Sequence, residues 1–352
     1  MDDFFQPANK IRKLYSELIH CNDINRIAIL PSVSYGMGII EKNLNLKKGE
    51  SIVVIGEGFP SNYYAWEKLT SRVGGILKVI KAPDDLSQRG KKWNEHILDA
   101  IDETTRAVCI GNIHWTCGTI YDLKAIRKRT LEKNSLLIID GSQTVGAFPF
   151  SIEEIQPDAL VVAGWKWLLG PYSMALGYFG PYFDNGETIE DNWINRKESD
   201  QFDRLLYYQK EYLPVAQRYN VGEFSNFTLL PMMINGLEHI IEWGPANIQD
   251  YCKNLIKPFV PKFRELGCWI EDDAYRTSHV FGILLPESLS IDTLKKELHD
   301  SKVYLSVRGN FIRISPNVYN DKNDIEMLLK VVQNTINMKD SSNSKKVSYG
   351  LH

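Results

Sequence analysis

Two charged side chains follow apolar runs at positions where they could share one chemical task. Lys166 comes after the run 159–162 (ALVV) and lies between two tryptophans in the stretch AGWKWLLGP. Asp140 closes the earlier apolar run 136–140 (LLIID). A lysine that is kept out of water loses part of its preference for the charged form, so its amine becomes a usable nucleophile. The local sequence leaves two alternatives open: a lysine whose head reaches water, and an aspartate that caps a helix.

Two more groups have side chains suited to anions. The junction 30–36 (LPSVSYG) combines small hydroxyl residues with the start of a predicted helix. Free backbone N–H groups and the helix dipole at such a start favour a phosphate group, although an ordinary serine cap gives the same pattern. Arg308 and Arg313, in the stretch SVRGNFIRISP, could grip a carboxylate with their planar guanidinium groups. Exposed arginines on a hairpin are the alternative for that pair.

The first two hundred residues contain the elements that must position these groups. Short β-branched runs alternate there with longer amphipathic stretches, which is typical of βαβ units in an α/β fold. The predicted strands are 26–30, 51–55, 76–81, 106–110, 136–140 and 159–162, with a further strand at 174–179. The predicted helices are 4–20, 34–46, 60–73, 93–101 and 123–133. We expect a mostly parallel central sheet with helices on both faces, and ligands beyond the carboxyl ends of its strands.

The pattern changes near Pro231. One long helix is predicted over 237–243 and then 248–266, followed by a helix at 291–299 and a final helix to about residue 338. Short strands are predicted at 269–271, 280–285, 303–307 and 311–314. This mixture predicts a smaller C-terminal α+β domain over 241–338, after a large domain over 1–240. The polar, aperiodic residues 339–352 predict a disordered tail.

The composition excludes several classes of protein. Of 352 residues, 41 are Lys or Arg and 44 are Asp or Glu, so the net charge is 41 − 44 = −3. Because no basic block precedes the tail and no apolar run is long enough to span a bilayer, neither a nucleic-acid partner nor a membrane partner is predicted. The five scattered cysteines form no CxxC pair, which excludes a disulfide scaffold, predicts no metal site and favours a reducing cytoplasm.

The order of these features resembles the class V aminotransferases, a family of fold-type I enzymes that use pyridoxal 5'-phosphate (PLP). The resemblance runs from about Arg26 to Leu329. Its most specific part is 140–146 (DGSQTVG) followed by 164–166 (GWK), which is similar to the family signature D-x-x-Q-S-x-G…G-x-K. The stretches 59–66, 114–118, 166–171 and 312–321 are most similar to the isopenicillin N epimerase-like branch, which is related to the cysteine desulfurases.

The resemblance implies roles for residues near the cofactor ring. Lys166 would hold PLP as a Schiff base and then move the Cα proton of a small amino-acid substrate. Asp140 would keep the ring nitrogen protonated, so that the ring can accept electrons. Gln143 would form a hydrogen bond with the ring oxygen, and Phe59 would stack on the ring face.

The resemblance also implies how the two anionic groups are held. Ser32, Val33 and Ser34 would bind the cofactor phosphate. Arg313 matches the arginine that pairs with the substrate carboxylate, and Arg308 is a second candidate for that role. The segment 298–314 contains no cysteine, whereas desulfurases carry a reactive one near this point, so a persulfide mechanism is not expected.

Several positions depart from the family pattern. Ala163 and Trp165 replace a serine and a histidine that contact the phosphate. Trp115 replaces an asparagine that contacts the ring oxygen, and His114 or Thr116 would compensate for it.

Two further segments bear on assembly and on the pocket. The segment 218–226 corresponds to a family segment whose threonine reaches the phosphate of a partner subunit, but it has one extra residue and no threonine. Ser225 and Asn226 are the predicted substitutes, and this segment favours a homodimer with shared active sites. The chain begins almost at its first helix, which would leave a more open pocket unless an opening segment has been lost.

The reaction remains open among transamination, epimerisation and elimination at the Cα atom. A selenocysteine or cysteine-conjugate lyase is the second enzyme hypothesis. A catalytically inactive protein of this fold that serves as a binding module is the hypothesis from another class, because the phosphate contacts are altered and the N-terminus is short. A dinucleotide-binding protein is disfavoured, because no GxGxxG follows the first predicted strand.

Overall fold

The computed structural model describes residues 2–287, 289–309 and 311–347, and these form two compact units. The first unit is built from the described parts of Met1–Asp84, Lys91–His114 and Tyr121–Ala246. The second is built from the described parts of Asp85–Gly90, Trp115–Ile120 and Asn247–His352. Compared with the boundary predicted at residue 240, this division lies at Ala246 and adds two short early segments to the second unit.

A mixed sheet forms the centre of the first unit. Its seven strands among the described residues are β1 Ile27–Leu30, β2 Ser51–Ile55, β3 Ile76–Ile80, β4 Thr105–Gly111, β5 Leu136–Asp140, β6 Ala159–Ala163 and β7 Ala175–Phe179. They lie in the order β1-β7-β6-β5-β4-β2-β3. The pairs from β3 to β6 are parallel, and β7 is antiparallel to both of its neighbours. The prediction of an α/β fold with a mostly parallel sheet is confirmed.

The reversed strand β7 explains how the functional segments meet at one edge. Ala175, the first residue of β7, pairs with Leu30 at the end of β1 and with Ala163 at the end of β6. The chain therefore leaves β1 and β6 on either side of the start of β7. Asp140 ends β5, the next strand beyond β6, and pairs with Val161. The residues that follow β1, β5 and β6 consequently emerge at the same edge.

The helices of the first unit follow the predicted alternation. They are α1 Asp2–Leu18, α2 Val33–Asn43, α3 Ser61–Val73, α4 Arg89–Ala100, α5 Leu123–Glu132, α6 Ile152–Ile155 and α7 Leu229–Trp243, although the first residues of α4 belong to the second unit. Strands β1, β2, β5 and β6 supply buried aliphatic side chains to a core that also contains Trp66 of α3. Between β7 and α7, the described chain forms only short 3-10 turns, at Pro181–Phe183, Phe202–Arg204 and Val215–Tyr219.

The second unit contains a small antiparallel sheet. Its strands are β8 Trp269–Ile270, β9 Phe281–Leu284, β10 Ser306–Arg308 and β11 Phe311–Ile314, in the order β10-β11-β9-β8. The helices are α8 Pro245–Ile256, which begins in the first unit, α9 Val260–Glu265, α10 Ile291–Asp300 and α11 Lys322–Val347. Ile283, Ile312 and Leu294 are among the residues of its separate apolar core.

Two predicted helices have different limits in the structure. The long helix predicted over 237–243 and 248–266 is divided into α7, α8 and α9. Helix α7 ends at Gly244, which has φ 77°, and Pro258 lacks the N–H group that would continue α8. Helix α11 extends to Val347, past the end predicted near residue 338, and residues 348–352 of the predicted disordered tail lie outside the described residues. Within the described ranges, no helix is both long and apolar enough to cross a membrane.

Candidate active site

A cavity of about 290 Å³ lies in the first unit at the edge where β1, β5 and β6 end. Six of the residues singled out from the sequence line this cavity: Ser32, Val33, Ser34, Phe59, Asp140 and Lys166. The start of β7 contributes Ser173 and Met174 to the wall. An amine, a carboxylate and a helix N-terminus therefore share one small space, where a ligand with an anionic group could contact all three.

Two N–H donors fix the orientation of Asp140 at the end of β5. Its Oδ2 accepts a hydrogen bond from the side chain of Asn62 (2.5 Å), and its Oδ1 accepts one from the backbone N–H of Ser142 (2.8 Å). The carboxylate consequently faces the cavity in one held position. No role was predicted for Asn62. Its position could have indicated such a role, because Asn62 lies in the first turn of α3, which begins just beyond β2 at the carboxyl edge of the sheet.

Aromatic rings flank Lys166 without closing it off from water. Its Nζ lies 5.1 Å from the ring centroid of Phe59 and 5.4 Å from that of Trp165. Trp165 is 48% exposed and packs against the exposed ring of Tyr172. The aromatic side chains therefore shield the Lys166 amine from water only in part, and Phe59 contributes to this shielding together with Trp165.

Close packing on α7 holds the loop that carries Lys166. A Cβ atom on Gly236 of α7 would lie 2.5 Å from the carbonyl oxygen of Leu168, and one on Gly164 would lie 2.7 Å from that of Met174. Both approaches require glycine, since such distances are too short for a Cβ atom. The loop also contains Leu169 with φ 53°. Backbone held in this left-handed region costs free energy that the surrounding packing must offset.

Ser142 and Gln143 connect the ends of β5 and β6. The buried hydroxyl of Ser142 accepts a hydrogen bond from the N–H of Ala163 (3.0 Å), a link that was not predicted. The indole Nε1 of Trp167 lies 3.1 Å from Oε1 of Gln143. Because an indole N–H can only donate, the amide oxygen must face Trp167 and the amide NH₂ must point the other way. Gln143 is therefore oriented as a donor, although it is not among the residues that line the cavity.

The junction after β1 combines a serine cap with a possible anion site. The Oγ of Ser32 accepts from the N–H of Tyr35 (3.1 Å) and lies 2.9 Å from the Oγ of Ser34. The first-turn N–H groups of Val33 and Ser34 have no intrahelical carbonyl within reach, because a helix leaves its first amides unmatched. The cap alternative and the anion alternative thus coexist at this junction.

Three other predicted cofactor contacts in the first unit do not line the cavity. His114 is buried, and its Nε2 lies 3.1 Å from the carbonyl oxygen of Glu57. Ser225 is also buried, and its hydroxyl has no hydrogen-bond partner in the described part of the chain. The Oδ1 of Asn226 accepts from the N–H groups of Thr228 (3.0 Å) and Leu229 (2.9 Å), which caps α7. Their contacts with a cofactor remain predictions.

The second unit contains Thr116, which is buried, and the two arginines of the β10–β11 hairpin. Arg313 is half-buried and donates to the carbonyl oxygen of Trp115 (3.3 Å) and to the Oγ of Ser306 (3.5 Å). Its buried Nε has no hydrogen-bond partner among the residues that the structure describes. Burial lowers the pKa of Arg313, and the charge of Arg308 lowers that pKa further. Arg308 is exposed, with its guanidinium 5.3 Å from the Trp115 ring centroid. In the described parts of the chain, no group of three His, Cys, Asp or Glu residues is placed to hold a metal ion.

Comparison with known proteins gives a consistent result. The family model "Aminotransferase class-V" matches residues 2–178. An uncharacterized aminotransferase of Schizosaccharomyces pombe is 23% identical over 337 residues, which cover 93% of this chain and 82% of that protein. A probable cysteine desulfurase of Methanothermobacter thermautotrophicus is 30% identical over 154 residues, which cover 44% of this chain and 37% of that protein. The solved apo cysteine desulfurase of Thermococcus onnurineus superposes with a TM-score of 0.80 at 16% identity, over 95% of this chain and 84% of that one.

Proposed function

Since the chain belongs to the aminotransferase class V family, we propose that it is a PLP-dependent enzyme that acts at the Cα atom of a small amino acid. One observation carries this proposal. Lys166 and Asp140, which come from the ends of different strands, line a single cavity with the N-terminus of α2. A structural lysine and a structural aspartate have no reason to meet beside an anion-binding helix start, whereas a cofactor with an aldehyde, a ring nitrogen and a phosphate requires all three.

The donor set fits PLP residue by residue. The amine of Lys166 would attach the aldehyde carbon, and Phe59 would lie against the ring. The hydroxyls of Ser32 and Ser34, with the N–H groups of the first turn of α2, would hold the phosphate. Because Ala163 and Trp165 offer no equivalent of the family serine and histidine, the phosphate would depend mainly on α2.

Further partners would hold the ring polar groups. Asn62 and the Ser142 N–H group keep Asp140 in position, so that its carboxylate can retain the proton on the ring nitrogen. Gln143, oriented by Trp167, would donate to the ring oxygen.

Each of the proposed site residues has one role in the reaction. When bound, PLP supplies a ring that withdraws the electron pair left at Cα. Asp140 holds the proton at the ring nitrogen, which maintains that capacity. Lys166 would take the Cα proton at Nζ, and the atom to which it returns that proton would decide between the possible reactions. By the family resemblance, Arg313 pairs with the substrate carboxylate.

We further propose a homodimer in a cytoplasmic setting. Exposed large side chains in the first unit include Leu206 (87%), Tyr208 (95%) and Phe227 (69%), and apolar surface of this kind favours a protein partner. Phe227 follows Asn226 and Ser225, the predicted contacts with the partner cofactor. All five cysteines are free thiols, as a reducing compartment would keep them.

The test is the spectrum of the purified protein with added PLP, before and after borohydride reduction. We expect a visible band from the lysine-bound cofactor, and reduction should fix the cofactor to the chain. Lys166→Ala should lose both the band and the covalent fixation, whereas Lys68→Ala, a change at an exposed lysine of α3, should keep them. A Lys166→Ala protein that still fixes PLP would refute the assignment. A wild-type protein that takes up no PLP would favour a binding module.

A panel of amino acids would then resolve the reaction. Transfer of the amino group to a keto acid indicates transamination, and recovery of the amino acid with inverted configuration at Cα indicates epimerisation. Release of pyruvate with a thiol or selenide indicates the lyase alternative, which the similarity to a probable desulfurase favours. Two observations count against a desulfurase-type reaction. The similarity covers less than half of this chain, and the segment 298–314 contains no cysteine.

A further inference from the structure

The β10–β11 hairpin places two guanidinium groups on one face of the small sheet. Ser306 pairs with Arg313, and Arg308 pairs with Phe311. Side chains of residues two apart on a strand share a face, so Arg308 and Arg313 are diagonal neighbours on the same face. Diagonal neighbours of an antiparallel pair lie roughly 7–8 Å apart at their backbones. The two charged heads can therefore serve one ligand without occupying the same point.

Trp115 contacts both guanidinium groups and keeps them apart. Its carbonyl oxygen accepts from Nη1 of Arg313 (3.3 Å), whereas its indole ring lies under Arg308, with 5.3 Å between the Cζ atom and the ring centroid. One arginine is thus held at the backbone of Trp115 and the other at its side chain. This arrangement suits two separate anionic groups better than a single carboxylate shared by both arginines.

Neither positive charge is balanced within the described residues of this unit. The acceptors of Arg313 are a carbonyl and a hydroxyl, and Nε has none. Arg308 donates only to the carbonyl oxygen of its own neighbour Val307 (2.9 Å). Neither guanidinium makes an ion pair with a described carboxylate. A third arginine on this face, Arg89, differs because it has the buried carboxylate of Glu271 nearby.

We propose that Arg313 and Arg308 together bind a ligand with two carboxylates, so that the substrate of the proposed reaction is an acidic amino acid. Arg313 takes the α-carboxylate and Arg308 takes the distal one. This substrate class rests on the proposed function, but the two-carboxylate site itself does not require a bound cofactor. The distal contact is formed by an exposed arginine, so its contribution is modest and sensitive to salt.

The test compares succinate with butyrate, which has the same number of carbons and one carboxylate, by calorimetric titration of the full chain. Wild-type protein should bind succinate about fivefold more tightly, the factor expected for one additional, partly exposed arginine–carboxylate pair. Arg308→Gln should remove this preference. Lys296→Gln, which removes an exposed charge of α10 from the same unit, should retain it. Arg313→Gln, or Arg313→Lys if the first is unstable, should weaken both ligands.

The outcomes separate this proposal from the proposed function. Equal binding of succinate and butyrate by wild-type protein overturns the two-carboxylate site. An equal loss of both ligands in Arg308→Gln also overturns it, because both arginines would then hold the same carboxylate. The cofactor band is recorded on the same samples. A preference for succinate without any cofactor band would keep the site and reject the PLP-dependent reaction, whereas the reverse would keep the reaction and reject an acidic substrate.

Discussion

Arg12 of the first unit and Arg313 of the second are both withdrawn from water, yet their surroundings differ. Burial lowers the pKa of Arg12 to about 10, and it lowers the pKa of Arg313 as well. Each nitrogen of Arg12 has an acceptor: Nε has the carbonyl oxygen of Ile27 (3.3 Å), Nη1 has Oδ1 of Asn9 (2.8 Å) and Nη2 has Oδ1 of Asn220 (3.2 Å). Arg313 has two long contacts and one unmatched Nε.

The difference shows how to tell a structural arginine from a binding one. Whether each nitrogen of a buried guanidinium has an acceptor says more about its role than how deeply the group is buried. Arg12 connects α1 to β1 and to the segment that contains Asn220, whose Oδ1 also accepts from the N–H of Ile29 (2.9 Å). Its donors are used within the protein, so a structural role accounts for them. The unmatched donor of Arg313 carries a desolvation cost that an incoming anion would offset. We therefore expect the two arginines to respond in opposite ways to the same substitution.

The largest effect is expected for Arg12→Met, which should lower the free energy of unfolding by about 3 kcal/mol, because three hydrogen bonds from a charged group are lost. The acceptors on Ile27 and Asn220 would remain buried. Urea unfolding followed by circular dichroism measures the change. Arg72→Met, which removes the ion pair between the exposed Arg72 of α3 and Glu41 (2.9 Å), is the control and should stay within about 1 kcal/mol of wild type. If Arg12→Met were as stable as this control, its contacts would not be structural.

A smaller effect on stability is expected for Arg313→Met. The free energy of unfolding should change by less than about 1 kcal/mol, because contacts of 3.3 and 3.5 Å to neutral acceptors contribute little. Removal of this cation also relieves its repulsion with Arg308. The same variant should lose butyrate binding, which is measured by the titration described above. A variant that lost stability but still bound butyrate would reverse the roles of the two arginines.

The sequence predicts the large unit well because its signals are local. Buried parallel strands require continuous apolar runs, and the residue that ends such a run must lie at the carboxyl edge of the sheet. The positions of Asp140 and Lys166 at the ends of such runs therefore predict that both lie at this edge. The fold and the family were confirmed, and the cavity at that edge contains both side chains.

Other features depend on tertiary contacts that local patterns do not encode. Asn62 bonds Asp140 across 78 positions of sequence, and nothing in its own helix marks it. Arg12 stands between Lys10 and Lys13 on α1, and its contacts with Ile27, Asn220 and Phe224 lie at distant positions of the chain. The segments 85–90 and 115–120 belong to the second unit for the same reason. Their partners lie more than a hundred residues later in the chain.

Arg89 adds a third case to the comparison, an arginine close to a buried acid in the second unit. Burial raises the pKa of Glu271, although the N–H groups of Asp272 and Gly90 and the charge of Arg89 partly oppose this shift. Cys117 adds to the rise. A carboxyl group with a raised pKa binds its proton more tightly in the folded state than in the unfolded state. Its contribution to stability is therefore greatest below the unfolded pKa and is lost as the pH rises through the folded pKa.

The smallest predicted effect is a change in the pH dependence of stability, and it follows from the raised pKa of Glu271. Between about pH 5 and about pH 8, the free energy of unfolding of the wild-type protein should decrease more than that of Glu271→Gln, which keeps an acceptor but has no proton to lose. Glu265→Gln, at an exposed position of α9, should follow the wild-type curve. Parallel curves for wild type and Glu271→Gln would mean that the nearby guanidinium of Arg89 fully offsets the burial of the acid. Arg89 would then be a complete ion-pair partner, and the contrast with Arg313, which forms no ion pair with a carboxylate among the described residues, would become sharper.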